Sequence, residues 1–145
     1  MALTKSKLTL EYIAGYMDGE GTFAIVKSTD KKGFKRFSPR VSVGSTDLEI
    51  LEDISELLGC GYIYRTKSGT NKQFYSLEFG KRKNVMKVCC VLIPYLRQKL
   101  LQAEILISFC NRRENKLLAT KNNRYSTYEK QDEDDYLKIK ELKHA

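Results

Sequence analysis

The sequence is poor in several residues on which common functions depend. Its 145 residues include no tryptophan, two prolines and one histidine, His144, the residue before the last. Because no other histidine is present, a mechanism that pairs serine or cysteine with histidine inside one chain is excluded. No apolar run approaches the roughly 20 residues that cross a membrane, and residues 1–7 lack the apolar stretch of a secretory signal. We therefore expect an intracellular protein with no membrane partner, not secreted and located in the cytoplasm of a prokaryote or in an organelle.

Cysteine usage and composition predict a globular chain without disulfide bonds. None of the four cysteines forms a CxxC pair, and Cys89 and Cys90 lie inside an apolar run at 85–93. Such cysteines are typical of buried thiols in a reducing compartment. With 41% hydrophobic and 30% charged residues, we expect residues 1–145 to form one domain with a sizeable core.

Positive charge is concentrated in the body of the chain. The formal net charge is +8, and residues 1–128 hold 22 bases against 12 acids, a charge of +10. The segment 27–40 alone carries six bases and one acid, Asp30. This density suits phosphate contact through counterion release, with a solvated hairpin tip as the alternative. A second basic hairpin at 62–79 favours nucleic acid.

Residues 13–21, with the sequence IAGYMDGEG, are the most informative part of the chain. They continue an apolar run that opens at Thr9, a suitable N-cap, and so predict a buried helix. The helix is expected to end at 19–21, where two glycines flank Glu20. These glycines allow positive φ and leave the Glu20 carboxylate beside free backbone carbonyls. Carboxylate and carbonyl oxygens together are typical ligands of a hard cation.

Small residues define one face of this helix. Gly15 and Gly19 lie four residues apart and share a face, with Ala14 and Asp18 beside it. We expect a second backbone to approach closely along that face, as it does between helices packed through small residues.

The rest of the chain alternates between period-two and helical patterns. These patterns predict strands at 22–28 and 37–43, a helix from the Ser45-Thr46-Asp47 cap to Gly59, and strands at 62–66 and 73–79. They then predict a helix at 84–93 that Pro94 interrupts, a helix at 96–111, a polar connector at 111–124, and a surface helix following a capping box at 126–129, with disorder as its alternative. The order αββαββα predicts an α+β fold whose four antiparallel strands pack one face on helices and leave a polar face free. The core would span about residues 5–110, with a C-terminal helical extension at about 126–143.

The nonapeptide resembles the signature of the LAGLIDADG homing endonucleases, and the element order resembles their core over roughly residues 5–110. A chain of this size with one motif is similar to the homodimeric members, whose motif helices pack about a two-fold axis. The resemblance implies a site-specific endonuclease of the intron or intein type that cuts a long, pseudo-palindromic double-stranded DNA target without an organic cofactor. An RNA-splicing maturase or a non-cleaving DNA- or RNA-binding protein of the same fold is the alternative.

The resemblance also implies roles for individual residues. Glu20 and the Gly19 carbonyl would hold a divalent ion, Mg²⁺ or another such as Mn²⁺, for phosphodiester hydrolysis. Lys99, which follows Pro94-Tyr95-Leu96, would lie near the scissile phosphate, with Arg97 in reserve. Family members often place a glutamine ahead of the second helix, where this chain has Ser45, so Ser45 is a further catalytic candidate. The predicted dimer interface consists of Tyr12, Gly15, Tyr16, Asp18 and Gly19.

The polar faces of the two hairpins are the predicted DNA-reading surface. A two-stranded ribbon fits the major groove, and side chains two residues apart point the same way. Arginine suits guanine edges, and small apolar side chains suit thymine methyl groups. The candidate DNA-binding residues are Ala24, Val26, Ser28, Lys31, Lys32, Arg36, Ser38, Arg40, Ser42, Tyr64, Thr66, Lys67, Lys72, Gln73 and Tyr75.

Overall fold

The predicted order of helices and strands is present in the computed structural model, which describes residues 8–67, 73–119 and 128–143. Its elements are α1 (Leu10–Glu20), β1 (Gly21–Thr29), β2 (Lys35–Ser45), α2 (Leu48–Leu58), β3 (Tyr62–Lys67), β4 (Gln73–Phe79), α3 (Arg82–Leu92), a short 3₁₀ turn (Ile93–Tyr95), α4 (Leu100–Ala119) and α5 (Lys130–Lys143). The α+β fold class is therefore confirmed. None of the described helices is long and apolar enough to cross a membrane.

The four strands form one antiparallel sheet in the order β1-β2-β4-β3. Alternate side chains are buried, as the period of two predicts. The buried set on the helix-packed face is Phe23, Ile25, Val41, Val43, Leu77 and Phe79. The opposite face, which we call the outward face, carries the polar residues of the same strands.

Helix α1 begins where the sequence predicts. The backbone N–H of Tyr12 donates to the Thr9 hydroxyl oxygen at 3.1 Å, which makes Thr9 the N-cap. Ile13, Ala14 and Met17 are buried in the core. Ala14, the neighbour of Gly15, is therefore part of the core rather than of the open surface of α1.

The predicted positive φ around Glu20 is also wrong. Gly21 has φ −84° and ψ 165°, so α1 passes directly into the extended strand β1. Gly21 is required for space instead: a Cβ there would lie 2.7 Å from both the Met17 carbonyl oxygen and Met17 Cε. Among the described glycines, positive φ occurs at Gly33, Gly59 and Gly61.

The C-terminal third is more helical than its polarity suggests. Helix α4 continues to Ala119 through most of the predicted polar connector. The guanidinium group of Arg113 is buried, with its Cζ 3.9 Å from the centre of the Tyr128 ring. Arg112 binds the carboxylates of Asp132 and Asp135 at 2.6 and 2.8 Å. Arg112 thus faces α5 and Arg113 faces Tyr128, although other polar residues of α4, such as Asn111 and Asn115, are exposed.

Helix α5 packs against β1 and α4 through one buried face. Asp132, Asp135 and Ile139 are buried on that face, and Lys27 of β1 forms an ion pair with Glu133 at 3.2 Å. The predicted helix is present, but it is a surface helix only on the face opposite these buried residues. Ser126 and Thr127 of the predicted capping box lie outside the described residues.

Candidate functional site

The C-terminal end of α1 presents one exposed carboxylate. Glu20 is the last helical residue and Gly19 precedes it, and both are exposed. A carboxylate beside backbone carbonyls fits a hard divalent cation. Across 8–67, 73–119 and 128–143, no three His, Cys, Asp or Glu side chains cluster closely enough to hold a metal ion. A cation at the Glu20 carboxylate would therefore need ligands besides these side chains.

Lys99 brings an ammonium group to the same junction. Its Nζ donates to the Met17 carbonyl oxygen at 3.3 Å and also to the Gly21 carbonyl oxygen. These carbonyls lie on either side of Glu20 along the chain. Burial lowers the pKa of Lys99, while the negative charges of Asp18 and Glu20 act in the opposite direction. The fold thus brings the Lys99 ammonium group close to Glu20, and its place near a scissile phosphate stays a prediction.

Asp18 anchors the segment that carries this lysine. One of its carboxylate oxygens accepts from the backbone N–H of Arg97 at 2.8 Å and the other from that of Lys99 at 3.0 Å. Asp18 was predicted to lie at a dimer interface, whereas both of its oxygens bond within the chain. The Lys99 side chain reaches the junction, whereas the Arg97 side chain is exposed and is tied to Asp18 through its backbone N–H. The sequence offered no signal for the contact, since these residues are about 80 positions apart.

Ser45 lies at the same end of the sheet but is engaged locally. It stands two residues beyond Val43, the β2 residue that pairs with Gly21. The Ser45 hydroxyl oxygen accepts from the backbone N–H of Asp47 at 2.9 Å, and Asp47 in turn caps α2. The described contact of Ser45 is therefore with the start of α2.

The glycine face of α1 is open. A Cβ on Gly15 or Gly19 would meet no described atom within 4 Å. Tyr12 is 53% exposed, and its ring stacks on that of Tyr16 with 6.4 Å between the ring centres. The predicted interface residues other than Asp18 thus border a surface that a second helix can approach.

The first hairpin places its predicted polar set on the outward face. Across the β1–β2 pair, Thr22 lies opposite Ser42, Ala24 opposite Arg40, Val26 opposite Ser38 and Ser28 opposite Arg36. Within the described residues, the buried Nε of Arg40 has no hydrogen-bond partner. The tip of the hairpin is ordered by Asp30, whose carboxylate accepts from the backbone N–H groups of Lys32 and Phe34, both at 2.9 Å. Lys31 and Lys32 are exposed on that tip.

The predicted DNA-binding residues of the second hairpin lie on two different faces of the sheet. Tyr64 and Thr66 pair with Ser76 and Phe74 and share the outward face. Gln73 and Tyr75 have the parity of Leu77 and Phe79 and lie on the helix-packed side, where the Tyr75 hydroxyl donates to Gln73. The prediction that all four share the polar face is therefore wrong for Gln73 and Tyr75.

The alternation of β4 could have revealed this division. Leu77 and Phe79 are core residues, so the outward residues of β4 must be Phe74, Ser76 and Glu78. Phe74 lies across Gly44, where an added Cβ would be 2.5 Å from the Phe74 ring. Lys67 ends β3, and Lys72 lies outside the described residues.

Comparison with known proteins agrees with this architecture. The family model described as LAGLIDADG endonuclease matches residues 13–110, which is more than half of the sequence. The chain therefore belongs to the LAGLIDADG homing endonuclease family. No curated protein matches the chain by sequence.

Several solved homing endonucleases share the fold. I-CvuI, solved with uncleaved target DNA and Mg, is 20% identical with a TM-score of 0.64, over 94% of this chain and 95% of that one. I-TnaI is 19% identical with a TM-score of 0.68, over 96% of each chain. I-LtrWI, bound to its target DNA, is 19% identical with a TM-score of 0.70, over 97% of this chain but 45% of that one. At these identities the likeness establishes a common fold.

Proposed function

We propose that this protein is a metal-dependent homing endonuclease that cuts both strands of a long, nearly palindromic DNA target as a homodimer. The observation that carries the proposal is the junction of α1 and β1. There the exposed Glu20 carboxylate lies beside the Lys99 ammonium group, which is bonded to the carbonyls of Met17 and Gly21. A carboxylate and an ammonium group at this point suit phosphodiester hydrolysis better than binding alone.

The proposed homodimer is supported by the open face of α1 and by Glu20, which is the one exposed carboxylate at the end of that helix. Packing two copies of α1 through Gly15 and Gly19 about a two-fold axis would bring the two Glu20 carboxylates together. The comparison with I-LtrWI supports this arrangement, since nearly the whole of this chain matches less than half of that protein. A chain about twice as long can supply both halves by itself.

The chemistry would depend on a divalent cation, for which Mg²⁺ or Mn²⁺ is the natural choice. I-CvuI, which shares the fold, was solved in the presence of Mg and, in a second structure, in the presence of Ca. Glu20 and the Gly19 carbonyl would hold the ion, which when bound lowers the pKa of water and stabilises charge on the phosphate oxygens. The Lys99 ammonium group would stabilise negative charge that develops on the phosphate during hydrolysis.

Target recognition would fall to the outward face of the sheet. Arg36 and Arg40 suit the edges of guanine, and Ala24 and Val26 suit thymine methyl groups. Lys31 and Lys32, on the hairpin tip, would contact phosphate. Target sequence would therefore be read along β1 and β2, from the junction outward.

The test is cleavage of a library of duplexes by the purified protein with Mg²⁺, followed by sequencing of the ends produced. Glu20→Gln should abolish cleavage of the selected target while leaving affinity in a gel shift nearly unchanged, because only metal binding is lost. Glu52→Gln, which alters an exposed acid on α2, is the matched control. Cleavage by Glu20→Gln at the wild-type rate would refute the assignment. Specific binding without any cleavage by the wild type would indicate a non-cleaving DNA-binding protein instead.

A further inference from the structure

A cleft of about 360 Å³ lies where the start of β1 meets the segment before α4 and the last turn of α5. Its polar side chains are Thr22, Gln98, Lys99, Gln102 and Lys143. Apolar contact comes from Phe23 and Leu142. The cleft begins at Gly21, the residue after Glu20, so it is continuous with the candidate site.

The chemistry of the lining suits an anion with several oxygens. Two ammonium groups, two carboxamides and a hydroxyl can all donate hydrogen bonds to phosphate oxygens. No acidic side chain is among the described residues that line the cleft. The cleft therefore combines a charge of +2 with neutral donors, a combination that matches a phosphodiester.

The position of the cleft identifies which phosphodiester it would take. Thr22 pairs with Ser42 and is the first residue of β1 on the outward face. A DNA strand that follows this face toward Glu20 would pass Thr22 and reach the cleft. The ligand would thus be a backbone phosphate of the target strand close to the bond that is cut.

Helix α5 supplies Lys143 from outside residues 13–110, the segment that the family model matches. The helix is held in place by the ion pair of Lys27 with Glu133, by the bonds of Arg112 with Asp132 and by the burial of Ile139. These contacts fix the direction of α5 and bring its last turn to the cleft. A helix that is an extension in sequence is therefore part of the site in space.

We propose that this cleft binds a target-strand phosphate, and that Gln102 and Lys143 are its dedicated ligands beside Lys99. This inference rests on the proposed function, because the ligand is the DNA that the protein is proposed to cut. The inference adds that α5 is required to position the target DNA strand.

The test compares Lys143→Gln with Lys138→Gln, a matched variant that removes the same charge from an exposed position of α5 outside the cleft. Without a divalent ion, Lys143→Gln should lower affinity for the selected duplex roughly tenfold and reduce the magnitude of the salt slope by about two per dimer, one phosphate contact per half-site. Lys138→Gln should change affinity less than about twofold. Gln102→Leu replaces one uncharged side chain with another. It should therefore weaken binding without changing the salt slope.

A scan of the duplex with uncharged methylphosphonates identifies the phosphate itself. The wild type should lose affinity at one position per half-site near the cleavage point, and Lys143→Gln should lose less than the wild type at that position. Equal behaviour of Lys143→Gln and Lys138→Gln, or additive losses at every position, would overturn the inference while leaving the proposed cleavage intact. A wild type that neither binds nor cuts DNA would overturn both.

Discussion

Asp18 and Lys99 are 81 residues apart in sequence, yet the backbone N–H of Lys99 donates to a carboxylate oxygen of Asp18 at 3.0 Å. The other oxygen accepts from the N–H of Arg97. Because Asp18 belongs to α1, these two bonds attach the segment before α4 to the helix that ends at Glu20. The position of the candidate lysine relative to the candidate acid is therefore set largely by one carboxylate.

Asp18→Ala should separate these two functional groups. Loss of two hydrogen bonds to a charged acceptor is expected to lower the free energy of unfolding by about 2–3 kcal/mol. Cleavage at saturating protein should fall much more than DNA affinity, because Lys99 loses its position rather than its charge. Asp134→Ala, an exposed acid on α5, should change stability by less than about 0.5 kcal/mol. Chemical unfolding and single-turnover cleavage measure both effects, and wild-type cleavage by Asp18→Ala would show that other contacts hold Lys99.

The lowered pKa of Lys99 predicts how stability depends on pH. Burial places its folded-state pKa below the ordinary value of 10.5. Between these two values the unfolded chain binds more protons than the folded one, so the Lys99 contribution to the free energy of unfolding rises with pH in this window. Chemical unfolding from pH 7 to 10.5 should reveal that rise in the wild type and in Lys138→Met, and a smaller rise in Lys99→Met. Identical pH profiles for all three proteins would contradict a buried, charged Lys99.

Gly15→Leu tests the proposed interface without disturbing the fold. A side chain at Gly15 meets open space in the single chain, and leucine has a higher helix propensity than glycine by up to about 1 kcal/mol. The monomer should therefore remain folded, while overpacking forces the two α1 helices apart. Sedimentation should show loss of the dimer, with circular dichroism and the thermal midpoint of the monomer preserved.

Gly21→Ala is the contrasting variant for that experiment. An added Cβ would lie 2.7 Å from the Met17 carbonyl oxygen, so this change should destabilise the folded chain itself. A dimer that persists in Gly15→Leu would place the interface elsewhere.

Arg40 and Lys31 should differ in what they contribute to DNA binding. Arg40 lies on the outward face with an unpartnered buried Nε among the described residues, whereas Lys31 is on the exposed tip. Arg40→Ala should cost about 1–3 kcal/mol and relax base preference at one position per half-site. Lys31→Ala should weaken all duplexes alike and reduce the magnitude of the salt slope by about one per half-site. Binding to a library at several salt concentrations separates these outcomes, and equal, sequence-independent losses would refute the division.

Patterns of short period predicted much of this protein. The Thr9 cap, the alternation of β1 and β2 and the break at Pro94 are decided by neighbours within four residues, so they are legible in the sequence. Errors arose where a distant contact overrode the local pattern. The polar residues of α4 suggested a connector, but Arg112 and Arg113 are paired with α5 and Tyr128. In β4 the cause was local instead: the polar groups of Gln73 and Tyr75 suggested the polar face, whereas the parity of the buried Leu77 and Phe79 places them on the other face.

The sequence by itself determined the α+β order, the acid at the end of α1 and the surplus of positive charge, because each depends on residue type and local spacing. Tertiary structure alone decided that Asp18 binds the segment of Lys99 and that α5 brings Lys143 to the cleft. These relationships join parts of the chain that are distant in sequence. They exist only once burial of the apolar faces has fixed how the helices lie on the sheet, so no local pattern records them.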